Sequence, residues 1–70
     1  SEGLPKDDIR YRGFHDYGDN SYFCYWLKMD GDEMDNYVIC DDSGNMCTIT
    51  FSSFDEEVKE MILSSFAFVE

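Results

Sequence analysis

"YVICDDSGNMCTITF", Tyr37 to Phe51, is the stretch that decides the fold. Two runs rich in β-branched and aromatic residues, Tyr37–Cys40 and Met46–Phe51, flank the polar segment Asp41–Asn45. Val, Ile, Thr, Tyr and Phe suit a pleated, half-buried surface, whereas Asp, Ser, Gly and Asn favour chain reversal. The stretch therefore reads as a β-hairpin. With Ser43 and Gly44 as the central residues of a two-residue turn, Asp42 faces Asn45, Cys40 faces Cys47 and Val38 faces Ile49. That register gathers Val38, Cys40, Cys47, Ile49 and Phe51 on one face and turns Tyr37 and Ile39 to the other. It also sets Cys40 opposite Cys47, close enough for a cross-strand disulfide in an oxidising setting.

Beyond Phe51 the apolar period changes from two to that of a helix. Phe54, Val58, Met61, Ile62 and Phe66 form an amphipathic stripe. Ser53 followed by Glu56 has capping-box spacing, and Asp55, Glu56 and Glu57 suit the positive end of a helix dipole. Toward the N-terminus, "SYFCYWLKM" (21–29) and "IRYRGF" (9–14) read as strands, with "HDYGDN" (15–20) as the turn between them. "MDGDEMDN" (29–36) reads as a loop. The expected fold is α+β: a four-stranded antiparallel β-meander with one C-terminal amphipathic helix packed on one face. Residues 9–70 form a single small domain, and "SEGLPKDD" (1–8) forms a flexible N-terminal arm.

Composition narrows the class. In seventy residues, 43% are hydrophobic and 17% aromatic, too many for a disordered acidic tail. No apolar run is long enough for a membrane span, and no basic start followed by an apolar stretch marks a signal peptide. Three cysteines without Cys-x-x-Cys spacing argue against a disulfide scaffold and for a reducing, cytoplasmic setting, that of the host cell if the protein is viral. Sixteen acids against five bases give a net charge of −11. Spread over the surface of a chain this size, that is about one net charge per 400 Å². Direct nucleic-acid binding is excluded, because it needs a basic footprint.

Sites for chemistry are scarce. Counted from Asp30, an EF-hand would need a Gly at its sixth position and Glu at its twelfth, where Asp35 and Asp41 stand. His15, Cys24, Cys40 and Cys47 could in principle ligate zinc, but their spacing matches no zinc motif, and the thiols read as small buried hydrophobes. There is one histidine, no Gly-x-Ser-x-Gly and no phosphate-cradling glycine loop. No metal, no cofactor and no enzyme is expected.

Two features point to a partner instead. The meander brings the 29–36 loop beside the helix start, so Asp30, Asp32, Glu33 and Asp35 approach Asp55, Glu56 and Glu57, with Lys28 the only base nearby in sequence. In addition, one helix covers one face, yet both faces of the strands carry apolar residues. Large aromatics are left outside, with Tyr22, Trp26 and Tyr37 the expected anchors. An acidic rim around aromatic anchors fits a module that binds a basic, nucleic-acid-handling protein. Its sharpest form is an inhibitor that occupies the nucleic-acid-binding surface as a partial nucleic-acid mimic. Small acidic anti-restriction and anti-CRISPR proteins of phages, and nuclease-inhibiting immunity proteins, share that physical description, although no motif here belongs to any of them. The alternative is a structural or regulatory subunit that buries its aromatic face in a homo-oligomer, a homodimer included, or in a larger complex.

Overall fold

The computed structural model describes residues 8–69. Four strands, β1 (Asp8–Tyr17), β2 (Asn20–Met29), β3 (Asp32–Cys40) and β4 (Met46–Phe51), precede one helix, α1 (Glu56–Ser65). The strands form one antiparallel sheet in the order β1-β2-β3-β4. The expected α+β meander is thus the fold. The expected N-terminal arm lies outside the described residues, apart from Asp8, which opens β1.

The strands are longer and the turns tighter than the sequence suggested. His15, Asp16 and Tyr17 continue β1, which leaves Gly18 and Asp19 to turn the chain. The 29–36 segment is not an eight-residue loop. Met29 pairs with Asp32, and Asp30 and Gly31 alone reverse the chain with φ of 53° and 88°. An Asp-Gly pair with both φ positive matches the right-handed twist of the flanking strands, so the acids after it are recruited into β3.

The third turn corrects the register. Asp41 N–H donates to the Asn45 carbonyl at 2.9 Å and Gly44 N–H to the Asp41 carbonyl at 3.2 Å. The Asp41 carboxylate accepts from Asn45 Nδ2 at 2.8 Å and from the Asn45 and Ser43 amides, both at 2.9 Å, and these bonds, the Asn45 side chain's foremost, hold its pKa below the ordinary carboxylate range. Gly44, at φ 91°, takes the left-handed position. The connection is therefore a three-residue turn with a bulge rather than a two-residue turn. Everything slips by one: Cys40 pairs with Met46, Ile39 with Cys47 and Tyr37 with Ile49. Tyr37 and Ile39, not Val38 and Cys40, share the inner face with Cys47, Ile49 and Phe51. Cys40 and Cys47 consequently lie on opposite faces as free thiols.

The core sits between this inner face and α1. Tyr22, Cys24, Tyr37, Ile39, Phe51 and Leu63 are buried together. Tyr37 is the hub, edge-on to Tyr17, Tyr22 and Phe51 at 5.8, 6.1 and 5.7 Å. Helix α1 buries Lys59 and Leu63, half-buries Val58 and Ile62 and leaves Met61 exposed, with Phe66 half-buried just past its end, so its inner face is rotated from the expected stripe. Asp55 is the N-cap, with no side-chain hydrogen bond, and the Ser53–Glu56 capping box does not form. The first intrahelical bond, from Lys59 N–H to the Asp55 carbonyl, starts the helix too late for Ser53 to cap it.

The far end of the helix is fixed by the sheet. Asn20 Nδ2 donates to the Leu63 and Phe66 carbonyls at 2.9 and 2.8 Å, and Tyr22 Oη donates to Leu63 at 2.6 Å. These donors satisfy C-terminal carbonyls that the helix cannot satisfy itself. Asn20→Ala is expected to lower the free energy of urea unfolding by about 2 kcal/mol. Asn20→Asp should cost more at neutral pH, because a carboxylate cannot donate and faces the negative end of the helix dipole.

Candidate interaction surface

Strand alternation gives the sheet two unlike faces. On the side away from α1, Ile9, Tyr11 and Phe14 of β1 stand beside Phe23, Tyr25 and Leu27 of β2, with Met34 and Val38 of β3 beyond them. Tyr11 and Phe14 are three residues apart, a separation that puts residues of a regular strand on opposite faces. The register shift between Tyr11 and Gly13 inserts one extra residue and brings both rings to the same side. Phe23 is 5.9 Å from Tyr11 and 5.3 Å from Phe14, and Tyr25 is 6.2 Å from Tyr11. No described element covers them: Tyr11 is 71% and Phe14 75% exposed. Amid this face Asn36 is buried, its amide oxygen accepting from Thr50 Oγ1 at 2.7 Å.

The charges are divided as unequally as the aromatics. All four described bases lie on the helix side. Arg10 sits 5.6 Å over the Trp26 ring, and Lys28 is paired in register with Glu33. Arg12 and Lys59 both bond Asp35, at 3.2 and 3.0 Å, and Lys59 also pairs with Glu56 at 3.0 Å. On the open face the described charges are acids only. Asp16, which accepts from Ser21 Oγ at 2.6 Å, and Asp32, beside the Asp30–Gly31 turn, stand at opposite ends of it.

The structure therefore rearranges the expected site. The two acidic groups do share one end, because a groove lined by Gly31, Asp32, Glu33 and Met34 has Ser52 and Ser53 as its other wall. They are not a set of unopposed carboxylates. Asp35 is held by Arg12 and Lys59, Glu56 is partly neutralised by Lys59, and Glu33 and Asp35 point away from Asp32. Asp30, Asp32, Glu33, Asp55 and Glu57 are exposed. Among the expected aromatic anchors, Tyr22 and Tyr37 are core residues and Trp26 is half-buried on the helix side. On the helix-free face the exposed rings are Tyr11 and Phe14, backed by Phe23 and Tyr25. Alternation along β2 by itself groups Phe23 with Tyr25, but the bulge that adds Tyr11 and Phe14 has no hydrophobic signature.

The helix side holds a cavity of about 80 Å³ between Arg12, His15, Tyr17, Cys24, Tyr37 and the start of α1. Burial pushes the Cys24 thiol up, which keeps it protonated and a poor nucleophile. His15 Nε2 lies 3.0 Å from the Arg12 carbonyl. Cys24, Cys40 and Cys47 are respectively buried, exposed and half-buried, and no cluster of three metal-ligating side chains occurs among the described residues. Burial, with Tyr37 nearby, raises Tyr17 to about 12. Burial alone would lower Lys59, but its bonds to Asp35 and Glu56 outweigh that and raise it.

Because Lys59 is buried, its partner matters more than a surface pair would. Asp35→Ala should cost about 3 kcal/mol, since it leaves a buried ammonium with only an exposed carboxylate. Asp35→Asn combined with Lys59→Met should recover most of the loss in denaturant unfolding. The raised values of Tyr17 and Lys59 act in the same direction on pH. Their stabilising contribution is complete below about pH 10 and is lost as pH rises through the folded values. Unfolding followed by circular dichroism should therefore show stability falling between about pH 10 and 12. Comparison of the chain with protein families, curated proteins and solved structures finds no match.

Proposed function

We propose that this chain is a protein-binding module that docks through its helix-free sheet face onto a basic surface of a partner protein. The observation that carries the reading is the division of the sheet. One face presents Tyr11 and Phe14 with only acids beside them, while every described base is drawn to the other side. Exposed aromatics supply desolvated anchors, and rim carboxylates steer a cationic surface and fix its orientation. The net charge of −11 acts in the same sense over longer range. In its sharpest form the module is an inhibitor, of anti-defence or immunity type, that covers a nucleic-acid-binding surface. The reading includes no catalysis, no cofactor and no contact with nucleic acid or membrane. Three free thiols agree with a reducing, cytoplasmic setting.

A second reading, a subunit that buries the same face against another copy, has the exposed aromatic area in its favour. Its electrostatics are worse. Two copies would bring Asp16 and Asp32 of each against a face with no described base to offset them, inside a joint charge twice that of one chain.

The test is capture on immobilised protein from lysate of its source or host, with a salt step before detergent. Nucleic-acid-handling proteins are expected in the salt fraction, and the protein should compete with DNA or RNA for them. Tyr11→Ala and Phe14→Ala should each weaken the captured complex by about 2 kcal/mol, roughly thirtyfold. Asp32→Lys should slow association and flatten its salt dependence. A protein that sediments as a dimer, with a captured complex indifferent to salt, would move the conclusion to the subunit reading.

A further inference from the structure

An open sheet has two edges, and here they differ. The β1 edge carries Asp8, Arg10, Arg12, His15 and Asp16 and is bent by the bulge near Arg12. Charge and bulging are the devices that keep an edge from pairing with another chain. The β4 edge has neither. "MCTITF" holds no charged residue, no proline and no register shift, and its Thr and Ile favour extended backbone.

The orientation of its backbone groups follows from the turn. Asp41 and Asn45 are a hydrogen-bonded pair. Alternation along an antiparallel ladder then turns the N–H and C=O of Cys47, Ile49 and Phe51 toward β3 and those of Met46, Thr48 and Thr50 outward. No described backbone group outside the sheet bonds to them. Acids flank both ends of this uncharged edge: Asp41 and Asp42 precede it, and Asp55, Glu56 and Glu57 follow it.

We infer that β4 is a strand-addition site for an extended segment of a basic partner, cationic at both ends and uncharged through its middle. This rests on the reading that the protein binds a basic partner, and it adds a second element to that contact. The added strand extends the sheet, so its outward side chains continue the open face past Thr48 and Thr50. A second copy fits the edge less well. Antiparallel β4–β4 pairing would set the Asp41–Asp42 end of one copy against the Asp55–Glu57 end of the other, acid against acid, whereas a cationic segment meets carboxylates at both ends.

The experiment is amide hydrogen exchange by NMR on the full chain, with a Lys-Lys-Thr-Val-Thr-Val-Lys-Lys peptide as probe. In the free protein the Met46, Thr48 and Thr50 amides should exchange rapidly, and those of Cys47 and Ile49 slowly. The peptide should slow the outward set by about tenfold or more, whereas the same peptide with Glu for Lys should not. Methylating the peptide's central amide nitrogens should abolish the effect without any change to the protein. Thr48→Pro, which removes an outward N–H and no ladder bond, should do the same while preserving the spectrum of the remaining sheet. Protection that appears instead on β1, or survives both blocks, overturns the inference. So does protection of Thr48 and Thr50 that rises with protein concentration alone, because the occupant is then a second copy. If Tyr11→Ala weakens a captured partner and Thr48→Pro does not, strand addition fails while face docking stands. If the Lys peptide protects β4 but Tyr11→Ala and Phe14→Ala leave partner binding unchanged, face docking fails instead.

Discussion

One helix cannot cover two faces. Helix α1 has ten residues and is about 15 Å long. The sheet it packs on is four strands wide, roughly 15–20 Å at ordinary strand spacing. The helix is spent on the face that carries Tyr22, Tyr37 and Phe51, and it is pinned there at both ends. Near its start Lys59 reaches into the sheet to Asp35, and at its end Asn20 and Tyr22 of β2 donate to its last carbonyls. Among the described residues, everything on the other face must then shield itself or stay open. Asn36 is buried there by its neighbours, but Tyr11 and Phe14 are not. The aromatic surface is thus a consequence of topology before it is a matter of function.

The same pinning explains the separation of charge. A chain with five bases that places Lys59 under its helix and Arg12 on Asp35 has committed them to structure. Arg10 and Lys28 also stand on the helix side, with Trp26 and Glu33. The acids are far more numerous and are left to the turns, the helix start and the rim of the open face. Such a molecule repels copies of itself at long range and attracts cations over the same distance, so its electrostatics favour a partner unlike itself.

Much of the fold was legible in the sequence, and the residues show why the rest was not. The meander and the helix followed from a change in apolar period at Ser52–Phe54, which depends on side chains alone. The register of the β3–β4 hairpin did not, because "DDSGN" is compatible with both a two- and a three-residue turn. The Asp41 carboxylate, by binding the Ser43 and Asn45 amides, selects the longer one. A one-residue slip exchanges faces, so the same ambiguity misplaced Tyr37, whereas Tyr22 and Trp26 lie on β2, whose alternation alone does not say which side meets the helix. Nothing in the sequence marks Lys59 for burial. Only the tertiary position of Asp35 makes its burial tolerable. The candidate surface suffered most, since it depends on the bulge near Arg12, and a bulge leaves no periodic trace.

Whether the helix-free face is open in solution is the claim on which the functional reading stands. The most direct measurement is NMR of the aromatic ring protons in dilute free protein with a neutral, soluble paramagnetic probe. Strong broadening is expected for Tyr11 and Phe14, weaker effects for Phe23 and Tyr25, and almost none for Tyr22 and Tyr37. If Tyr11 and Phe14 are as protected as Tyr22 in the isolated monomer, the face is already covered within the chain and is not a docking surface.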